Sequence, residues 1–174
     1  MNTRIIKYCL DANVLIQAWQ KYYNPLFCPD YWDILIDLGK KERIFISESV
    51  YDEIIRTEDD LTTWLKASKI PIKKMDESVI NCWQQVLANN PIHEHLVDNT
   101  KGRSLADPWI ISHALYENAT VVTKEEKVTA INSQKIKIPN VCDNMGLRWI
   151  NDFQFVKELG IKFSCSLSQN RMDG

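Results

Sequence analysis

A chain of 174 residues, 45% hydrophobic and 25% charged, holds enough apolar material for one globular domain with a real core, and is too short for two to be the better expectation. Its formal charge of −2 gives no global attraction to nucleic acid, so any such binding has to come from local basic patches or from bound cations. No uninterrupted apolar run approaches the ~18 residues of a membrane span, and the stretch MNTRIIKYCL is broken too soon by Lys7 to be a signal peptide, so a cytoplasmic protein with no membrane partner is expected.

In chain order, IIKYCL reads as a buried strand, followed by a helix from about Val14 to Tyr23 with Leu15, Ala18 and Trp19 on one face. NPLFCPD interrupts it. YWDILIDLGKKE is helical by its apolar positions Tyr31, Ile34, Leu35 and Leu38, and RIFIS is a second short strand ending at Ser47. SESVYDEIIR, DDLTTWLKAS and DESVINCWQQVLANN read as helices, and SLADPWIISHALYEN as another that runs into the strand ATVVT. LRWINDFQFVKELG is expected to be a closing helix with Gly160 past its end, and SCSLSQNRMDG a loose tail. Residues 1–163 are thus expected to form one domain and 164–174 the tail. The order β-α-α-β-α-α-α-α-β predicts an α/β fold, a central parallel sheet flanked by helices, in which sites form beyond the carboxyl ends of the strands.

Asp11 stands at such an end, between two apolar segments, where a carboxylate is costly unless something pairs with it. Glu53 follows the second strand by about one helical turn, Asp107 begins the helix before the third strand, and Glu125 and Glu126 follow that strand. Carboxylates brought within ~4 Å of one another repel by on the order of 4 kcal/mol per pair at an effective dielectric of ~20. A divalent cation removes that cost, and a site made of oxygen ligands suits Mg²⁺ or Mn²⁺. The five cysteines are odd in number, scattered and without a C-x-x-C pair, which argues for reduced thiols over a disulfide framework or a structural zinc site.

LDANVLI with Asp11 and Asn13, VYDEIIR with Glu53, LADPWIISHAL with Asp107, and VVTKEEK with Thr123 and Glu125 occur in one order, each at a strand or helix edge. Together, from about residue 5 to 150, they resemble the PIN-domain ribonucleases. KIPNVCDNMGLRWIN, after the fourth acid, looks like an uncharacterised PIN-like group similar to the toxins of toxin-antitoxin pairs. The resemblance implies a three-layer α/β/α fold and a metal-dependent endoribonuclease, with Asp11, Glu53, Asp107 and Glu125 as catalytic metal ligands for Mg²⁺ or Mn²⁺. It also implies an RNA substrate and an antitoxin partner, and it admits a homodimer. Two departures from the family are visible: the fourth acid is usually Asp, and the insert from about 57 to 104 is longer than in the smallest toxins.

Several residues keep two readings. Asp107 precedes Pro108 and can simply open a helix; Asn13 is either a helix cap or an amide that orients the metal-bound water or a neighbouring carboxylate; the fourth acid is Glu125 or Glu126, with spacing after Thr123 favouring Glu125. Lys101 and Arg103 are candidates for steering phosphate, against a solvated loop. His93 and His95 lack a third ligand for zinc, and Cys142 has no partner that would make it a nucleophile. Two rivals to the ribonuclease belong to other classes. A haloacid-dehalogenase-like phosphatase needs an acid where Asn13 stands, and a decayed PIN-like binding module would account for the Glu at the fourth position.

Overall fold

The computed structural model describes residues 5–97, 105–130 and 135–167. Five strands, β1 (Tyr8–Leu10), β2 (Ile44–Ser47), β3 (Ile72–Lys73), β4 (Thr120–Val122) and β5 (Trp149–Ile150), form one parallel sheet in the order β3-β2-β1-β4-β5. The three central strands are buried throughout and mostly apolar, which suits a parallel sheet covered on both faces. Tyr8 lies opposite Ile44 on one side and Thr120 on the other, and that register brings Leu10 beside Val122, so β1 and β4 end together.

The helices are α1 (Ala12–Gln17), α2 (Pro29–Lys40), α3 (Glu48–Ile55), α4 (Asp60–Ser68), α5 (Glu77–Asn89), α6 (Asp107–Glu117), α7 (Ile138–Met145) and α8 (Asp152–Leu159). A π-helical stretch, Ala18–Tyr22, continues α1, and a 3-10 helix, Pro91–Leu96, follows α5. α6 lies across β1, β2 and β4 and packs on α5 and α7, while Phe155 of α8 meets Tyr8 edge to face at 5.0 Å. The layers are those of the expected α/β/α fold. Side chains set several helix starts: Ser47 accepts from Val50 N–H, Asp59 from Thr62 N–H and Asp76 from Val79 N–H. Among the described residues no helix is long and apolar enough to cross a membrane.

Two expectations need correction. The closing segment is not one helix: Trp149–Ile150 pairs with Val121–Val122 as β5, and Asn151 then starts α8. Asn151 accepts from Gln154 N–H while Gln154 accepts from Asn151 N–H, a reciprocal cap that separates strand from helix. The short strand β3 between α4 and α5 was also not anticipated, because two residues carry no readable period and become a strand only by pairing with Ile46 and Ser47. α7, within the segment quoted for its toxin likeness, is a further addition.

Candidate active site

The sheet order places a topological switch between β1 and β4: the chain runs outward from β1 to β2 and β3, then returns to the other side of β1 as β4. In open parallel sheets the crevice beyond the strand ends at such a point is where ligands bind. Asp11 follows β1 and Thr123 follows β4 into that crevice, and the two residues touch: Thr123 Oγ1 donates to Asp11 Oδ2 at 2.7 Å.

Asp11 occupies the residue before α1 in extended backbone, the place of a helix cap, yet its side chain makes no capping hydrogen bond to that helix. It is buried, 6% exposed. Burial raises its pKa most, the Thr123 hydroxyl pulls it down, the charges of Glu125 and Glu53 push it up again, and the nearby backbone of Asn13 lowers it, with the result at about 7. Near neutral pH this carboxyl is therefore poised between its two forms, with two acids and, among the described residues, no cation acting on it.

The neighbouring residues form one connected network. Thr123 Oγ1 also accepts from the Glu125 N–H at 3.1 Å, so one hydroxyl sets both the Asp11 carboxylate and the course of the chain beyond β4. Asn13 Oδ1 accepts from the Lys124 N–H at 3.0 Å, tying α1 to the same segment. Glu125 Oε2 accepts from the Ile138 N–H at 3.0 Å and so satisfies the first turn of α7. Glu53, on α3, is exposed, but desolvation by the surrounding protein raises its pKa against the opposing pull of Arg56. Asp107 is half-buried at the first position of α6, beside the buried Pro108.

The structure thus joins Asp11, Asn13, Thr123 and Glu125 by hydrogen bonds and couples Glu53 to Asp11 through its charge. Among the described residues no three acidic, histidine or cysteine side chains converge closely enough to form a ready-made metal cage. The donors themselves are carboxylates, the chemistry that a hard divalent cation requires. Glu126 is exposed, and Lys101 and Arg103 lie outside the described residues. His93 is fully buried with both ring nitrogens engaged, Nδ1 with the Val86 carbonyl and Nε2 with the Asn144 side chain, which leaves none for a metal. Cys142 is buried, and desolvation pushes its thiol up, away from a reactive thiolate; all five cysteines are free.

One part of the crevice escaped sequence reasoning. Lys124 Nζ donates to Asp152 Oδ2 at 2.8 Å, with both side chains largely buried, and stands over the rings of Tyr22 at 4.5 Å and Phe153 at 5.3 Å. Nothing in the sequence links Lys124 with Asp152, 28 positions apart. The available signal was Asn151 and Gln154, whose spacing marks a helix start and sets Asp152 in its first turn.

A family model described as a domain of unknown function (DUF4411) matches residues 8–163. Among solved structures, a chain of VapBC2 from Rickettsia felis, bound to a DNA fragment from their promoter, aligns with a TM-score of 0.55 and 19% identity over 84% of this chain and 98% of that one. A chain of VapBC-1 from nontypeable Haemophilus influenzae aligns with a TM-score of 0.51 and 15% identity over 85% of this chain and 99% of that one. At such identities the likeness is one of fold, and it is to the PIN-like α/β/α arrangement. None of the curated proteins matches.

Proposed function

Since the chain belongs to the family described as a domain of unknown function (DUF4411) and has a PIN-like fold, we propose that it is a Mg²⁺- or Mn²⁺-dependent endoribonuclease, the toxin of a pair whose partner is an antitoxin protein. The observation that carries this reading is the buried Asp11 at the β1/β4 switch, held by Thr123 and pressed by the charges of Glu125 and Glu53. A carboxyl kept in that condition is explained by a ligand that carries positive charge.

Asp11 and Glu53, with Asp107 and Glu125, would hold the divalent ions, which supply a water of lowered pKa and neutralise charge on the phosphate. The chain's own part is positional. Thr123 keeps one oxygen of Asp11 in place. Asn13 fixes the Lys124 backbone, and with it the register of Glu125 against Asp11. Glu125, one oxygen of which accepts from Ile138 N–H, is suited to a water-mediated contact more than to a direct bond. The reaction is hydrolysis: a bond from phosphorus to the water oxygen forms as the bond to the leaving ribose oxygen breaks. Single-stranded or looped RNA suits an acidic crevice, because a splayed strand can enter with one phosphate while a duplex would present many.

The test is cleavage of single-stranded RNA by the purified protein in Mg²⁺ or Mn²⁺ and in excess EDTA, together with growth of a bacterial host that expresses it. Cleavage confined to the metal-containing reactions, and slowed growth relieved by Asp11→Asn or Asp107→Asn, are expected; full activity in EDTA overturns the reading. A second reading, a decayed PIN-like binding module, draws on the commitment of Glu125 to the α7 start. RNA binding without cleavage in either metal selects it.

A further inference from the structure

Beside the acidic crevice lies an open cleft of about 280 Å³, lined by Lys124, Glu125, Glu126, Trp149, Asn151 and Phe153 among others. It adjoins the proposed reaction centre through one residue: Glu125 lines the cleft, and its N–H is bonded to the hydroxyl that holds Asp11. Its volume falls just below the ~300 Å³ at which pockets for drug-sized ligands begin. That suits one flat heterocycle better than a whole cofactor.

The walls are aromatic and held in place. Trp149 Nε1 donates to Asp143 Oδ1 at 2.8 Å, and Asp143 in turn accepts from Lys127 Nζ, so the indole is fixed from behind. Phe153 sits in the first turn of α8, whose position the Asn151 and Gln154 cap sets. It is nevertheless 56% exposed, and Tyr22, which meets it edge to face at 5.9 Å, is 46% exposed. The π-helical stretch ends at Tyr22 and brings this ring toward Lys124. Exposed rings of this size forgo the favourable burial of apolar surface, and stacking with a base would recover it.

Charge indicates which part of a nucleotide enters. Lys124 is already paired with Asp152 and Lys127 with Asp143, while Glu125 and Glu126 also line the cleft, so a phosphate would be repelled and a neutral base would not. On these grounds we infer that the cleft between Phe153 and Trp149 is a nucleobase subsite, which takes the base of a nucleotide flanking the scissile phosphodiester of single-stranded RNA. This rests on the ribonuclease reading above.

The experiment uses the full chain carrying Asp11→Asn, to suppress cleavage, and short single-stranded oligoribonucleotides with 2-aminopurine at successive positions, a base analogue whose fluorescence falls on stacking against an aromatic ring. Quenching at one position is expected. Adding Phe153→Ala should abolish it and weaken binding about 5- to 150-fold, the fold-change that base stacking on an aromatic side chain corresponds to, while Phe153→Tyr should retain both. Binding without quenching at any position, or a Phe153→Ala protein indistinguishable from its parent, overturns the subsite. Quenching in a protein whose unsubstituted form cleaves no RNA in either metal leaves the subsite standing and removes the nuclease reading. Cleavage without quenching does the reverse, and absence of RNA binding overturns both.

Discussion

The two edges of the sheet handle charge in opposite ways. Where β1 and β4 begin, carboxylates are met by cations: Glu117 lies against Lys7 and Lys73, and Glu158 against Arg148, with the Tyr8 hydroxyl as a further donor. Partial burial works against the ionised form of Glu117, but hydrogen bonds from both lysines outweigh it and hold its pKa low; Glu158 is held low chiefly by Arg148. Where β1 and β4 end, Asp11 meets a neutral hydroxyl and the charges of two further acids, and its pKa rises to about 7. Among the described residues, Glu117 and Glu158 at the first edge are each paired with a cation, whereas at the second Lys124 is taken by Asp152 and no cation acts on Asp11. Charge left uncompensated beside a crevice is what a site for an external cation demands, and compensated charge is what a fold demands.

The largest effect that bears on this comparison is at Asp11. Asp11→Asn should lower RNA cleavage in saturating Mg²⁺ by roughly 10³-fold or more, about 4 kcal/mol of transition-state stabilisation; cleavage at the wild-type rate would place the chemistry elsewhere. The same substitution should act on stability with the opposite sign. Because the folded pKa of Asp11, about 7, lies above its ordinary value of 3.8, the folded state binds the proton more tightly. The metal-free protein then loses stability as pH rises from about 4 to about 7, in total on the order of 4 kcal/mol, and loses no more above that window. Urea unfolding in excess EDTA should show Asp11→Asn gaining on the wild type between pH 5 and pH 8, and Mn²⁺ should raise the melting temperature of the wild type more than that of the variant. A difference between the two proteins that does not change with pH would refute the account of Asp11.

Smaller effects sharpen the contrast. Glu125→Gln should weaken cleavage roughly 10- to 100-fold, as loss of a group that orients a metal ligand does, with Glu126→Gln near wild type; the reverse ranking in parallel cleavage assays would make Glu126 the fourth acid. At the other edge, Glu117→Gln should cost about 1 kcal/mol at neutral pH and leave cleavage unchanged. Its sign with pH is opposite to that of Asp11: the depressed pKa of Glu117 stabilises the fold above the ordinary carboxylate value, and this stabilisation fades as pH falls through the depressed one. Unfolding measured at pH 7 and again near pH 3 should find the wild type ahead of the variant only at the higher value.

Much of the arrangement was legible before any coordinates. The apolar runs ending at Leu10 and Val122 announce buried parallel strands, and Asp11 and Thr123 at their ends announce a shared edge, because strand direction and the rule for sites in parallel sheets follow from local pattern alone. The strands β3 and β5 were not legible, since two residues become a strand only by pairing with a neighbour supplied from elsewhere in the chain. The distribution of charge was not legible either. Glu117 and Asp11 are both acids beside apolar segments, and no local feature says that Lys7 and Lys73 will reach one while Glu125 and Glu53 face the other. Composition and period determined the layers and the edge at which a site would lie. Tertiary packing alone decided which carboxylates are compensated, and it buried Lys124 against Asp152 beneath two exposed rings. The reason is physical: periodicity reports which face of an element is buried, whereas a pKa depends on every charge within a few ångströms, wherever in the chain it originates.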